Sequence, residues 1–143
     1  MGKIRNETER PKVGIGLMIL KGDQVLMGKR KNTHGHGTWS FTGGYLEFGE
    51  SFEKCLKREL KEECGVKIKD VRFQCVANVI KYGKHHVLVG FVADWKSGDP
   101  ILKEPEKLEC WDWFPINKLP KPIFEASRLI VKSYIRDNVY VDN

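Results

Sequence analysis

Residues 44–66 read G-Y-L-E-F-G-E-S-F-E-K-C-L-K-R-E-L-K-E-E-C-G-V, and the middle of this stretch is punctuated as a helix. Ser51 is a capping residue ahead of it and Gly65 a natural stop behind it, about four turns later. With a step of about 100° per residue and Glu59 as origin, Glu62 falls near ~300° and Glu63 near ~40°, while Phe52, Cys55 and Leu56 fall near ~20°, ~320° and ~60°. Carboxylates and apolar groups share one arc. Lys54, Lys57 and Lys61 cluster between ~160° and ~220°, which marks the solvent side. A solvated face accounts for the lysines but leaves the glutamates unexplained.

Inward carboxylates have to be protonated, paired or bound to a cation, because an isolated buried charge is very costly to desolvate. Arg58 can pair with Glu62 at i,i+4, yet one guanidinium does not neutralise three carboxylates. A hard divalent cation does. Oxygen ligands select magnesium, calcium or manganese over zinc, and magnesium is the one usually held by carboxylates together with substrate phosphates.

The chain of 143 residues is long enough to bury a core, and residues 1–143 read as one domain. Charged residues at 31% and hydrophobic ones at 41% exclude a disordered chain, and no apolar stretch exceeds strand length, so no membrane span is expected. Lys and Arg outnumber Asp and Glu by 25 to 19, a formal charge of +6 with a pI near 9.1. Such a balance favours a phosphate-bearing ligand and equally serves solubility. A nucleic-acid partner is not expected, since no basic run carries interleaved aromatics. Cys55, Cys64, Cys75 and Cys110 show no C-x-x-C pairing and read as reduced core residues. The polar start, residues 1–11, lacks an apolar signal region, and Asn6 stands where a myristoylation signal wants Ser or Thr; a cytoplasmic address is the expectation.

Residues 12–20 and 25–30 read as a hairpin around Lys21-Gly22-Asp23-Gln24. Residues 31–37 are a loop and residues 38–42 a short strand that Gly43 and Gly44 should break. Residues 66–80 and 86–95 alternate as strands joined across Tyr82-Gly83-Lys84, and a polar loop over 96–107 leads to a strand at 108–114. A closing helix is expected over 122–136 with Ile123, Leu129, Ile130 and Tyr134 in the core. This order makes an α+β arrangement with a mixed β-sheet between helices.

The pattern G-x5-E-x7-R-E-L-x-E-E-x-G-V, with Gly44, Glu50, Arg58, Glu59, Glu62, Glu63 and Gly65 in its fixed places, resembles the Nudix box without a departure. That resemblance implies the Nudix α/β/α sandwich. The segments Gly28-Lys29-Arg30-Lys31, Tyr45 to Glu50, Glu104-Pro105-Glu106-Lys107 and Trp111-Asp112-Trp113 look like the MutT-type nucleoside triphosphate diphosphatase branch. One residue departs: the branch usually has proline before its double glycine, and Thr42 stands there, loosening the loop or adding a hydroxyl near the metal.

By this resemblance Glu59 and Glu63 are direct metal ligands, Glu62 completes the shell of a second metal or binds through water, and the Gly43 carbonyl adds a ligand; the cofactor is Mg2+, with Mn2+ as its substitute. Glu50 approaches from the preceding loop, and Arg58 orients the carboxylates or serves as a structural ion-pair partner. Arg30 is the candidate phosphate clamp, its rival reading a plain surface arginine. The general base is Glu104, Glu106 or a box glutamate. Trp39, Phe41 and Phe124 are candidate base-stacking platforms or simply core aromatics. His34 and His36 border the substrate mouth rather than form a metal pair, at most one of His85 and His86 faces the cleft, and Trp111 and Trp113 share one packed face. The implied activity is magnesium-dependent hydrolysis of a nucleoside triphosphate, oxidised or non-standard ones included, to monophosphate and pyrophosphate. A dinucleotide, sugar nucleotide or prenyl diphosphate is the alternative substrate, a non-catalytic nucleotide sensor the alternative role, and a homodimer is compatible with the branch.

Overall fold

Strand β1, Lys12–Lys21, is buried from Gly14 through Ile19, with no polar residue alternating in that run. Both of its faces are covered, which is why the run is continuously apolar. On one side Ile15, Leu17 and Ile19 pack with Cys55, Leu56 and Leu60 of helix α1, Phe52–Glu63. On the other, Met18 joins a cluster with Leu129 and Ile130 of helix α2, Glu125–Arg136. The computed structural model describes residues 9–142, and the reading of the start over residues 1–8 lies outside them.

The remaining strands are β2 (Gln24–Arg30), β3 (Trp39–Ser40), β4 (Thr42–Tyr45), β5 (Lys67–Lys81), β6 (Lys84–Ser97), β7 (Leu108–Pro115) and β8 (Tyr140–Asp142). They form one sheet in the order β3-β2-β1-β6-β5-β8, with β4 paired to β1 and β7 to β2. The pairs β1·β6 and β5·β8 are parallel and the others antiparallel, giving the mixed sheet and the α/β/α sandwich that the sequence implied. No helix among the described residues is long and apolar enough to cross a membrane.

Two glycines set how closely α2 approaches. Gly16 and Gly90 are register partners on the central parallel pair, and a Cβ on either would stand 2.7 or 2.9 Å from the Ile130 side chain. Ile130 therefore seats where the sheet is bare. The site owes its opening to a split in the sheet. β1 and β2 pair only at their hairpin end, Leu20↔Val25 and Lys21↔Gln24; beyond it β4 lies against β1 from Gly14 to Leu17.

Several local expectations need correction. Gly43 and Gly44 do not break a strand but lie inside β4, opposite Gly16 and Ile15. Helix α2 begins at Glu125, not Pro122, because Ile123 bridges to Trp39 and the preceding backbone bonds β3 instead of coiling. Tyr134 is exposed; the buried stripe in its turn runs through Ser133, which donates to the Asn138 carbonyl and accepts from Gln74. Phe52 is exposed although it falls on the buried arc with Cys55 and Leu56, because it is the first residue of α1; its ring tilts against Phe91.

Candidate active site

A cleft of about 440 Å³ opens beside β4, with an acidic end at α1 and an apolar end under α2. Ser51 caps α1 by accepting from the Lys54 N–H, and the Gly65 N–H closes its far end on the Leu60 carbonyl. The helix so fixed lays Glu59 and Glu63 along β4. A Cβ on Gly44 would stand 2.2 Å from Glu59 Oε1, so the bare backbone there lets the carboxylate lie against the strand.

Glu63 is the deepest of the acids. Its Oε1 accepts from the Thr42 hydroxyl and the Gly43 N–H, both at 2.8 Å. Burial, outweighing those two bonds, pushes its carboxyl up to about 8, with Glu59 and Glu104 adding to the rise. Glu59 is raised too, by burial against the Arg58 contact that opposes it. Arg58 is shared: Nε and Nη2 hold Glu50 at 2.6 and 3.0 Å, Nη1 holds Glu59 at 2.7 Å, and Glu62 stands 3.4 Å away. The fork to Arg58 keeps the Glu50 carboxyl down at about 2. Glu62 is half exposed, at the margin of the buried arc instead of within it.

Glu104 lines the cleft, whereas Glu106 is exposed and takes no part in its lining. His34 and His86 line it as well; His36 accepts from the Asn32 N–H, and His85 bonds Asn78. Trp111 and Trp113 both pack on the α1-side core, and the Trp111 indole donates to the Glu63 carbonyl, which steadies the end of the helix. All four cysteines are free, and burial lifts the Cys55 thiol to about 12.

At the other end, Arg30 lies with its guanidinium 4.1 Å from the Phe124 ring centre and Nε on the His34 carbonyl. Phe124 lines the cleft, yet its ring is already engaged, stacked on Tyr82 at 5.2 Å, so it is not an open platform. Trp39 does not reach the cleft: it packs edge-on against Phe114 at 5.0 Å. Phe41 does, buried at the apolar end with Leu88, Ala126 and Ile130. Sequence reasoning missed Tyr45, which borders the cleft beside His86, and the bare floor of Gly14 and Gly16. Glycines two apart in an apolar strand were the available signal for that floor.

The lining carries five carboxylates, Glu47, Glu59, Glu62, Glu63 and Glu104, against three cations, Arg30, Arg58 and Lys107. Among the described residues no three acidic, histidine or cysteine side chains already converge on one point. The donor set nevertheless suits a hard cation: two raised carboxylates a turn apart, all-oxygen, only one of them, Glu59, paired with the Arg58 guanidinium. The sign of the pH effect follows. Glu63 binds its proton more tightly folded than unfolded, so its contribution to stability is complete below pH 4.5 and lost as pH rises through about 8. A bound cation takes the proton's place, and the rise in Tm on adding magnesium is expected to be larger at about pH 9 than at about pH 6. Equal rises in differential scanning fluorimetry would refute this.

The NUDIX domain model matches residues 10–134. Among curated proteins, the chain is 35% identical over 104 residues to the NAD-capped RNA hydrolase NudC of Stutzerimonas stutzeri, covering 73% of this chain and 36% of that protein. It is 31% identical over 134 residues to the protein of the same name from Pseudomonas syringae pv. syringae, covering 89% and 46%. The chain thus spans less than half the length of these curated relatives. Among solved structures, the MutT NUDIX hydrolase from Burkholderia pseudomallei is similar with a TM-score of 0.82 at 32% identity, covering 87% of this chain and 98% of that one.

Proposed function

We propose, on the premise that this chain belongs to the Nudix hydrolase family, that it hydrolyses a nucleoside triphosphate to the monophosphate and pyrophosphate with a divalent cation. The observation that supports this reading best is the shape of the cleft: one apolar compartment, bounded by Phe41, Leu88, Ala126 and Ile130, opens into one acidic compartment. Such a layout suits a single base at one end and a polyphosphate at the other.

In this reading Glu59 and Glu63 hold the cation, Glu62 reaches it from the rim and the Gly43 carbonyl adds a ligand. Magnesium, or manganese in its place, supplies charge neutralisation and a water of lowered pKa when bound. Arg58 holds Glu50 and Glu59 in register for that task. Arg30, which lines the same cleft and feels the charge of Glu63, grips a phosphate. Glu104, facing the cleft, is the better placed of the two loop acids to take a proton from the attacking water.

The names of the curated relatives favour a second reading, a dinucleotide-linked substrate such as an NAD cap on RNA. A panel of canonical and oxidised nucleoside triphosphates, NAD and NAD-capped RNA, with products resolved by chromatography, separates the two. Pyrophosphate released from a triphosphate at the highest kcat/KM is the expected result. Preferred release of nicotinamide mononucleotide would establish the second reading and remove the first.

A further inference from the structure

Tyr82 occupies a backbone position that its side chain disfavours. Its φ is +56°, and Gly83 follows at +71°, the succession of left-handed residues that tight hairpins normally fill with Asn-Gly. A bulky aromatic there carries strain, and strain that persists points to a use for the side chain. Two uses are visible. The ring lies flat on Phe124, with 3° between the planes, and the hydroxyl accepts from the Glu125 N–H at 3.0 Å. The latter is a start-of-helix donor that Phe124, the N-cap of α2, has no oxygen to satisfy.

Phe124 in turn carries the Arg30 guanidinium. Gly35, with φ +75°, brings its backbone so near the Phe124 ring that a Cβ would stand 2.5 Å from it. His34 leans on both aromatic rings while its carbonyl takes the Arg30 Nε–H. The two Nη groups of Arg30 have no hydrogen-bond partner among the described residues, and the residue lines the cleft.

We infer that Tyr82 is a positioning residue for Arg30. By fixing the Phe124 ring it presents the guanidinium in one orientation to an incoming phosphate. An arginine held so loses less freedom on binding than one that swings in solvent. The inference rests on Arg30 meeting phosphate in the proposed reaction.

The test is a double-mutant cycle on the full chain, read as the affinity for inorganic pyrophosphate in magnesium by titration calorimetry. Tyr82→Asn suits the turn and deletes the ring, Arg30→Gln deletes the clamp, and Tyr82→Phe keeps the ring while losing the hydroxyl. Arg30→Gln and Tyr82→Asn are each expected to weaken pyrophosphate about tenfold, the double variant no more than Arg30→Gln alone, and Tyr82→Phe less than about twofold. Losses that add in the double variant, or a Tyr82→Asn protein that binds normally, overturn the inference while the Arg30 reading stands. An Arg30→Gln protein that binds normally removes the clamp, and the inference with it. Should Tyr82→Asn fail to fold, Phe124→Leu takes its place in the cycle with the same expectation.

Discussion

Glu63→Gln is expected to stop turnover while making the cation-free protein more stable. The glutamine keeps an oxygen that can accept from the Thr42 hydroxyl and the Gly43 N–H, so the local bonds survive. It removes the buried charge whose cost raises the carboxyl to about 8. In chelator at about pH 9 the variant should gain about 2 kcal/mol in urea unfolding. With magnesium, kcat/KM for pyrophosphate release should fall about a thousandfold or more, since a metal ligand and its charge are lost together. A substitution that merely damages the fold would lower both quantities. Unimpaired activity would remove the metal assignment, and reduced stability in chelator would show that the carboxylate is not the burden its burial implies.

Gly43→Ala is expected to be the costliest small change in the sheet. A Cβ there would stand 2.2 Å from the Ile15 carbonyl oxygen and 3.1 Å from Gly16 Cα, both backbone atoms of β1. Neither can turn aside, so β4 must lift from β1 and take the Glu63 anchor with it. A loss of about 3 kcal/mol by urea unfolding follows, at the upper end for overpacking. Gly44→Ala meets instead the end of the flexible Glu59 side chain, which can move. That variant should lose about 1 kcal/mol or less in stability and at least about tenfold in kcat/KM. Equal destabilisation by the two would contradict this division between a strand contact and a ligand contact.

The neighbouring Thr42 shows how sequence and structure divide the information. A proline was the usual residue for its place, and sequence alone left open whether threonine loosened the loop or contributed a hydroxyl. The structure places that hydroxyl 2.8 Å from Glu63, on a residue only 2% exposed. No periodicity along the chain could supply this, because the partner lies on a separate helix. Trp39, Phe41 and Phe124 illustrate the same limit. All three were legible as aromatics near the box, but how far the rings of Trp39 and Phe124 are already engaged depends on Phe114, Tyr82 and Arg30, brought in from other elements.

Spacing along residues 44–66 was enough to specify a capped helix with acids on its sheetward side and, through the box, the fold and family, and to raise the expectation of a hard cation. Those properties are local: a helix repeats every few residues, so the side on which a glutamate lies follows from its number in the chain. Which glutamates are deep, that Glu62 is at the rim, and that Glu104 rather than Glu106 faces the cleft were settled by the packing of α1 and the later loop against the sheet. So was the line from Tyr82 through Phe124 to Arg30, three residues that lie on three different segments. Burial and distance between remote segments arise only when the chain closes on itself, and those are the quantities that raise a carboxyl, occupy a ring or aim a guanidinium.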